Sequence, residues 1–189
     1  MTERARLIGA VNIIRREADG SLHGDMTDGS AFILGLASRG IPVRGRTILL
    51  VGGAGGAGSA IAQALCEEGI GALHLVDLNR EEVKKLADRL HKAFPVCKVG
   101  IGSPDFSRVD LAINATPIGM RPNDQLLFPV ERLRPDAAVA DVVTKPVMTP
   151  ILQTAQASKL TFSTGYDMAD SQLELQMRFL GLWQISSDA

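Results

Sequence analysis

Aromatic residues are scarce in this chain of 189 residues: one tryptophan, one tyrosine and six phenylalanines make up 4% of the sequence. The core must therefore be built mainly from alanine, valine, isoleucine and leucine. Long apolar runs are absent too, and none could span a bilayer. The charged segment 1–6 lacks the apolar stretch of a secretory signal. We therefore expect a cytoplasmic protein with no membrane partner.

An excess of charge of one sign is also absent. The 20 basic and 21 acidic residues give a formal net charge of -1. Nucleic acids and anionic membranes require a basic surface, so we expect neither as a partner. The arginines near the N-terminus are interrupted by Glu3 and Glu17, which is typical of a solvated surface.

Cysteine is represented only by Cys66 and Cys97. The two residues do not form a Cys-x-x-Cys pattern, and no histidine cluster accompanies them. We expect buried free thiols, with neither a disulfide nor a metal site.

From Thr47 onward, short apolar runs alternate with helical stretches. The run 47–51 is wholly apolar after its first residue, as expected of a strand buried on both faces. This alternation predicts an α/β fold, a doubly wound parallel sheet of about six strands with right-handed crossovers. We predict strands at 47–51, 73–76, 97–101, 110–114, 137–142 and 160–163, and helices from the following glycines to 68 and at 80–93, 149–157 and 168–183.

The first 40 residues have a different pattern. The apolar run 8–14, a turn at Asp19-Gly20 and the return at 21–24 predict a β-hairpin. Thr27 or Asp28 would then cap a helix that extends to about Ser38.

A glycine-rich segment follows the first buried strand. Gly53, Gly55 and Gly58 form the pattern Gly-x-Gly-x-x-Gly between a strand and a helix, the context of a dinucleotide site. The first glycine would permit the tight turn, the second the approach of a pyrophosphate, and the third close packing of the helix. Unpaired N–H groups at the helix start would face the phosphates. The predicted contacts are Gly53, Ala54, Gly55, Gly56 and Ala57; a turn without a ligand is the alternative.

The end of the second strand selects the nucleotide. Asp77 lies there, roughly 20 residues beyond the loop, where a carboxylate can accept hydrogen bonds from the ribose hydroxyls of NAD. The same charge would repel the 2′-phosphate of NADP. Asn79 and Arg80 follow, and Arg80 could serve NADP instead. We predict NAD as the preferred cofactor, with a turn or helix-capping carboxylate as the alternative role of Asp77.

Four further segments resemble the shikimate/quinate dehydrogenase family. Residues 9–12 resemble the family's Gly-Ala-Val-Asn-Thr, and residues 24–29 its Gly-x-Asn-Thr-Asp-Gly with Met26 in place of asparagine. Residues 114–120 match Asn-Ala-Thr-Pro-x-Gly-Met, and residues 165–172 resemble Gly-x-x-Met-Leu-x-x-Gln. Residues 77–79 align with the family's Asn-Arg-Thr and look like its NAD-using branch.

The resemblance implies a Rossmann-like nucleotide domain and the interconversion of shikimate or quinate with its 3-dehydro form. Asp28 would be the carboxylate of a catalytic Lys–Asp pair, and Asn12 and Gln172 would bind substrate. Thr116, Met120 and Gly165 would lie near the nicotinamide. The alternatives are a turn amide for Asn12, a helix cap for Asp28, a solvated Gln172 and a plain turn at Thr116.

The resemblance also indicates what this chain departs from. In family members a substrate domain with the catalytic lysine precedes the Gly-Ala-Val-Asn element, whereas only a few residues, none of them lysine, precede Gly9 here. Lys145 does not match that lysine's position, and Thr144 replaces the family tyrosine beside it. A truncated, non-catalytic dinucleotide-binding module and a dehydrogenase with a changed substrate are therefore the other hypotheses.

Three regions are expected: residues 1–40 as a remnant of the substrate domain with a linking helix, 41–165 as the NAD(P)-binding domain, and 166–189 as a helix that packs toward the substrate side. The N-terminal hairpin would expose a strand edge and apolar side chains. We expect self-association through it, or a separate substrate domain that covers it. The small polyhydroxylated carboxylic acid substrate is the other expected partner.

Overall fold

The structure is a computed structural model that describes residues 1–121 and 123–182. Its helices are α1 (Glu3–Ile8), α2 (Asp28–Ser38), α3 (Gly56–Glu67), α4 (Arg80–Ala93), α5 (Pro150–Ala157) and α6 (Gly165–Phe179). Its strands are β1 (Ile13–Arg16), β2 (Leu22–Asp25), β3 (Thr47–Val51), β4 (Ala72–Val76), β5 (Lys98–Ile101), β6 (Leu111–Asn114), β7 (Ala138–Asp141) and β8 (Thr161–Ser163). None of these helices is both long and apolar enough to cross a membrane.

Six strands form one parallel sheet in the order β5-β4-β3-β6-β7-β8. The chain enters at β3 in the middle, runs out to β5, returns to pair β6 with β3, and continues to β8. This is the doubly wound order of a Rossmann-like fold, and it confirms the predicted fold class. The two loops that follow β3 and β6 consequently face each other at one edge of the sheet.

Apolar side chains of β3 alternate between two cores. Ile48 and Leu50 face a core shared with α2, α3 and α4, whereas Leu49 and Val51 face a second core closed by α5 and the segment around Phe128. Both faces of the strand are thus covered, which is why its sequence is a continuous apolar run.

The N-terminal segment differs from its prediction. The apolar run predicted as a strand at 8–14 forms strand β1 only from Ile13 onward, and its first residue, Ile8, is instead the last residue of helix α1. Thr2 caps this helix through its side chain, and Ala5 packs against Met26 and Ala60. A short apolar run fits a helix end or a strand equally well, and here Ile8 belongs to the helix that packs through Ala5. The hairpin itself is confirmed, with β1 and β2 antiparallel.

The remaining element ends lie close to their predictions, except at the C-terminal helix. Helix α6 begins at Gly165 instead of Met168, because Thr164 and Asp167 form a reciprocal capping box. The helix ends at Phe179, and Trp183, its predicted end, lies outside the described residues.

Cys66 and Cys97 are free and buried, as predicted. Their sulfur atoms are 3.3 Å apart. The hydrogen bond to Cys97, together with burial, raises the pKa of the Cys66 thiol.

Candidate nucleotide and substrate site

A cleft of about 770 Å³ opens at the carboxyl edge of the sheet, between the loops that follow β3, β4 and β6. It lies where the strand order reverses direction, the usual ligand position in doubly wound sheets. Of the predicted cofactor residues, those that line it are Ala54, Gly55, Asp77, Asn79, Thr116 and Met120; Gly53, Gly56, Ala57, Arg80 and Gly165 do not.

The tight turn of the glycine loop spans residues 52–54 and includes Gly53, but the left-handed conformation falls on the glycine before it. Gly52 has a φ of +91°, a conformation that L side chains rarely adopt, whereas Gly53 is buried against Leu75. The predicted packing role of Gly58 is confirmed: a Cβ there would lie 2.0 Å from the carbonyl oxygen of Gly52. Helix α3 begins directly after the exposed Gly55, so its unpaired N–H groups start at the cleft.

Asp77 connects two loops. Its Oδ2 accepts a hydrogen bond from the Ala54 N–H at 2.9 Å, and its Oδ1 accepts one from the Asn79 N–H at 2.9 Å. The Ala54 N–H is therefore occupied. The capping role considered for Asp77 belongs to Asn79, whose side chain accepts from the Glu82 N–H at 3.2 Å and caps α4. A carboxylate has about four acceptor positions, so Asp77 retains acceptors for a ribose.

A buried polar network supports the loop after β6. Oδ1 of Asn114 accepts from the Thr116 N–H at 2.9 Å and from its hydroxyl at 2.7 Å, while Nδ2 donates to Asp141 at 3.0 Å. Asp141 also accepts from the Thr149 hydroxyl at 2.6 Å, and burial raises its pKa. Asn114, Asp141 and Thr149 were not among the predicted site residues. Two of them could have been found from the sequence, because β6 and β7 are otherwise apolar strands that each end in a polar residue.

Gly165 is the first residue of α6 and is not among the residues that line the cleft. A Cβ at this position would come within 2.4 Å of the Val143 carbonyl oxygen. Close packing of α6 on the chain that follows β7 therefore requires a glycine here, and the predicted position of Gly165 near the nicotinamide stays a prediction.

The three predicted catalytic and substrate residues meet in space. Asn12 and Gln172 each donate a side-chain N–H to Oδ1 of Asp28 at 2.5 Å, and Oδ1 of Asn12 accepts from the Thr27 N–H. Asp28 therefore does not cap its own helix, and Gln172 is not merely solvated. Thr27 occupies the N-cap position of α2, but its side chain accepts no hydrogen bond from an N–H of that helix.

Burial dominates the electrostatics of this cluster. It raises the pKa of Asp28, although the hydrogen bonds from Asn12 and Gln172 act in the opposite direction. Within residues 1–121 and 123–182, no cation forms an ion pair with Asp28. The carboxyl is consequently held by two neutral amides.

Comparison with known proteins agrees with this geometry. No protein-family model matches the chain. A curated shikimate dehydrogenase (NADP(+)) from Rubrobacter xylanophilus is 40% identical over 152 residues, which cover 77% of this chain and 52% of that protein. The chain thus spans about half the length of this curated relative.

Solved structures give the same result. A 5-ketofructose reductase of Gluconobacter sp. strain CHM43 matches with a TM-score of 0.85 and 30% identity, covering 98% of this chain and 68% of that one. A quinate dehydrogenase from Corynebacterium glutamicum in complex with NAD matches with a TM-score of 0.84 and 31% identity, covering 95% and 65%.

The sheet order, the glycine loop and the cleft define a Rossmann-like α/β domain. The chain belongs to the shikimate/quinate dehydrogenase family.

Proposed function

We propose that the chain binds NAD(P) and contributes part of the substrate site of a dehydrogenase acting on shikimate or quinate. The observation that carries this proposal is that Asn12 and Gln172 both donate a hydrogen bond to one carboxylate oxygen of Asp28. These three residues lie far apart in the sequence, and they are the ones to which the family resemblance assigns substrate-binding and catalytic roles.

Oxidation of a ring alcohol needs a base that takes the hydroxyl proton and an acceptor that takes the hydride. The nicotinamide of a bound NAD(P) would supply the hydride acceptor. Oδ1 of Asp28 is engaged by two amides, which fix the orientation of the carboxyl group. Its other oxygen would then orient a lysine ammonium supplied from outside the described residues. Asn12 and Gln172 would hold substrate hydroxyls beside it.

For the nucleotide we propose NAD over NADP. The Asp77 carboxylate is fixed at the end of β4 by two N–H groups, and its charge disfavours a 2′-phosphate. Leu78, fully exposed next to it, provides an apolar surface where the family pattern has arginine. The Rubrobacter relative is named for NADP(+), while the quinate dehydrogenase structure contains NAD.

One observation favours a second function, a non-catalytic dinucleotide-binding module. No lysine in the described part of the chain forms an ion pair with Asp28, so the base is not present beside it. We also propose that the chain self-associates through its hairpin, or is covered there by a separate substrate domain, because Ile14 and Leu22 are 55% and 67% exposed.

A titration followed by an assay separates the two functions. NADH and NADPH are titrated by nicotinamide fluorescence, and shikimate and quinate oxidation is then measured with the chain alone and with a family substrate domain added. Turnover that needs the added domain and disappears in Asp28→Asn supports the dehydrogenase. Binding without turnover in either mixture supports the module, and no binding of either nucleotide refutes both.

A further inference from the structure

Charged side chains in the dinucleotide cleft are few. Only Asp77, Arg121 and Asp124 are ionisable among the residues that line it. The dinucleotide of the proposed function, on which this inference rests, brings a diphosphate with two negative charges. The cleft has two carboxylates, which would repel the diphosphate, and one guanidinium, which could bind it.

Both carboxylates are engaged by backbone N–H groups. Asp77 accepts from Ala54 and Asn79, and Oδ2 of Asp124 accepts from Gly119 at 2.7 Å and from Arg121 at 3.1 Å. These last two bonds lower the pKa of Asp124, the one from Gly119 most. Neither carboxylate forms an ion pair with Arg121 in the part of the chain that the structure describes.

The position of Arg121 is set while its side chain stays free. Its own N–H donates to the Asp124 carboxylate, which also accepts from the Gly119 N–H. Its side chain is exposed, and among the described residues the guanidinium has no hydrogen-bond or ion-pair partner. Any solvated arginine side chain would lack such partners, but Arg121 differs because it lines the cleft.

Strand order indicates which phosphate it meets. The loop that carries Arg121 follows β6, which pairs directly with β3, the strand before the glycine loop. Asp77 follows β4, on the far side of β3. Neighbouring strands are about 4.8 Å apart. Counted from β6, the diphosphate position beyond β3 is one strand away, and the ribose 2′ position beyond β4 is two strands away. We propose that Arg121 binds the diphosphate, opposite the N-terminus of α3.

The test compares Arg121→Gln with Arg108→Gln, an exposed arginine that precedes β6 at the opposite sheet edge. NADH and NADPH are titrated at low and high salt, after circular dichroism has shown that both variants fold. We expect Arg121→Gln to weaken both nucleotides equally, by about five- to twentyfold at low salt and less at high salt. Arg108→Gln should bind as the wild type does.

Two results would overturn the proposal: unchanged affinity in Arg121→Gln, or a loss for NADPH alone, which would place the side chain at the 2′-phosphate. A wild type that binds neither nucleotide refutes the proposed function itself. The two failures are therefore distinguishable.

Discussion

Gln172 donates its side-chain N–H to Oδ1 of Asp28 at 2.5 Å, across 144 positions of sequence. The contact joins α6, the last described helix, to the first turn of α2, and these two helices pack against each other. The position of the Asp28 carboxyl thus depends on the packing of two helices that are distant along the chain.

Asp28 should lower the stability of the protein at neutral pH. Burial raises its pKa in the folded chain, so the folded state binds the proton more tightly than the unfolded state does. Stability then falls as pH rises from the unfolded pKa, about 3.9, through the higher folded value. We expect Asp28→Asn to unfold at the same or higher urea concentration than the wild type at pH 7, and to lose this pH dependence.

Asp167→Asn is the matched control. Burial alone would raise the pKa of Asp167, but the hydrogen bonds from Arg39 and Thr164 lower it overall. Its stabilising effect is present above the unfolded pKa, so Asp167→Asn should be less stable than the wild type at pH 7. Equal destabilisation by both substitutions would contradict the assigned direction for Asp28.

Nucleotide preference should reverse when the charge at the end of β4 is changed. In the double variant Asp77→Asn with Leu78→Arg, the anion is removed and a cation is added near the 2′ position. We expect NADPH affinity to rise relative to NADH by about tenfold or more, measured by fluorescence titration. Asp77→Asn with Leu78→Gln is the control without the cation. A wild type that already prefers NADPH would refute the NAD assignment.

Two glycines of the loop should differ sharply in their tolerance of alanine. At Gly58 an added Cβ would lie 2.0 Å from the Gly52 carbonyl oxygen, whereas nothing lies within 4 Å at Gly56. We expect Gly58→Ala to lose at least about 2 kcal/mol of unfolding free energy, and Gly56→Ala to change it by under about 1 kcal/mol. Urea unfolding measures both; similar losses would show that the loop packs differently.

The outward face of the hairpin should mediate self-association. Ile14 and Leu22 lie on the same face, because Ile14 pairs with Gly24 and Arg16 with Leu22. Sedimentation velocity should show concentration-dependent dimers of the wild type and a monomer for Ile14→Ser with Leu22→Ser. Val96→Ser is the control, since Val96 is 92% exposed in the turn before β5. A wild type that stays monomeric at every concentration would refute this role.

The sequence by itself determined the sheet and its glycine loop. The apolar run of β3 and the glycines after it are local signals, because a doubly buried strand and a turn without side chains leave a direct trace in residue type. The amphipathic α4 and the break after Ser38 are of the same kind, and their bounds are as predicted.

Only the tertiary structure decided the rest. The helical state of residues 3–8 depends on Ala5 meeting Met26 and Ala60, and the engagement of both Asp77 oxygens depends on the neighbouring glycine loop. The meeting of Asn12, Asp28 and Gln172 was implied by resemblance, but its geometry comes from the packing of α2 on α6. Contacts between distant segments leave no periodic signal in the sequence, since each partner's local pattern is satisfied without the other.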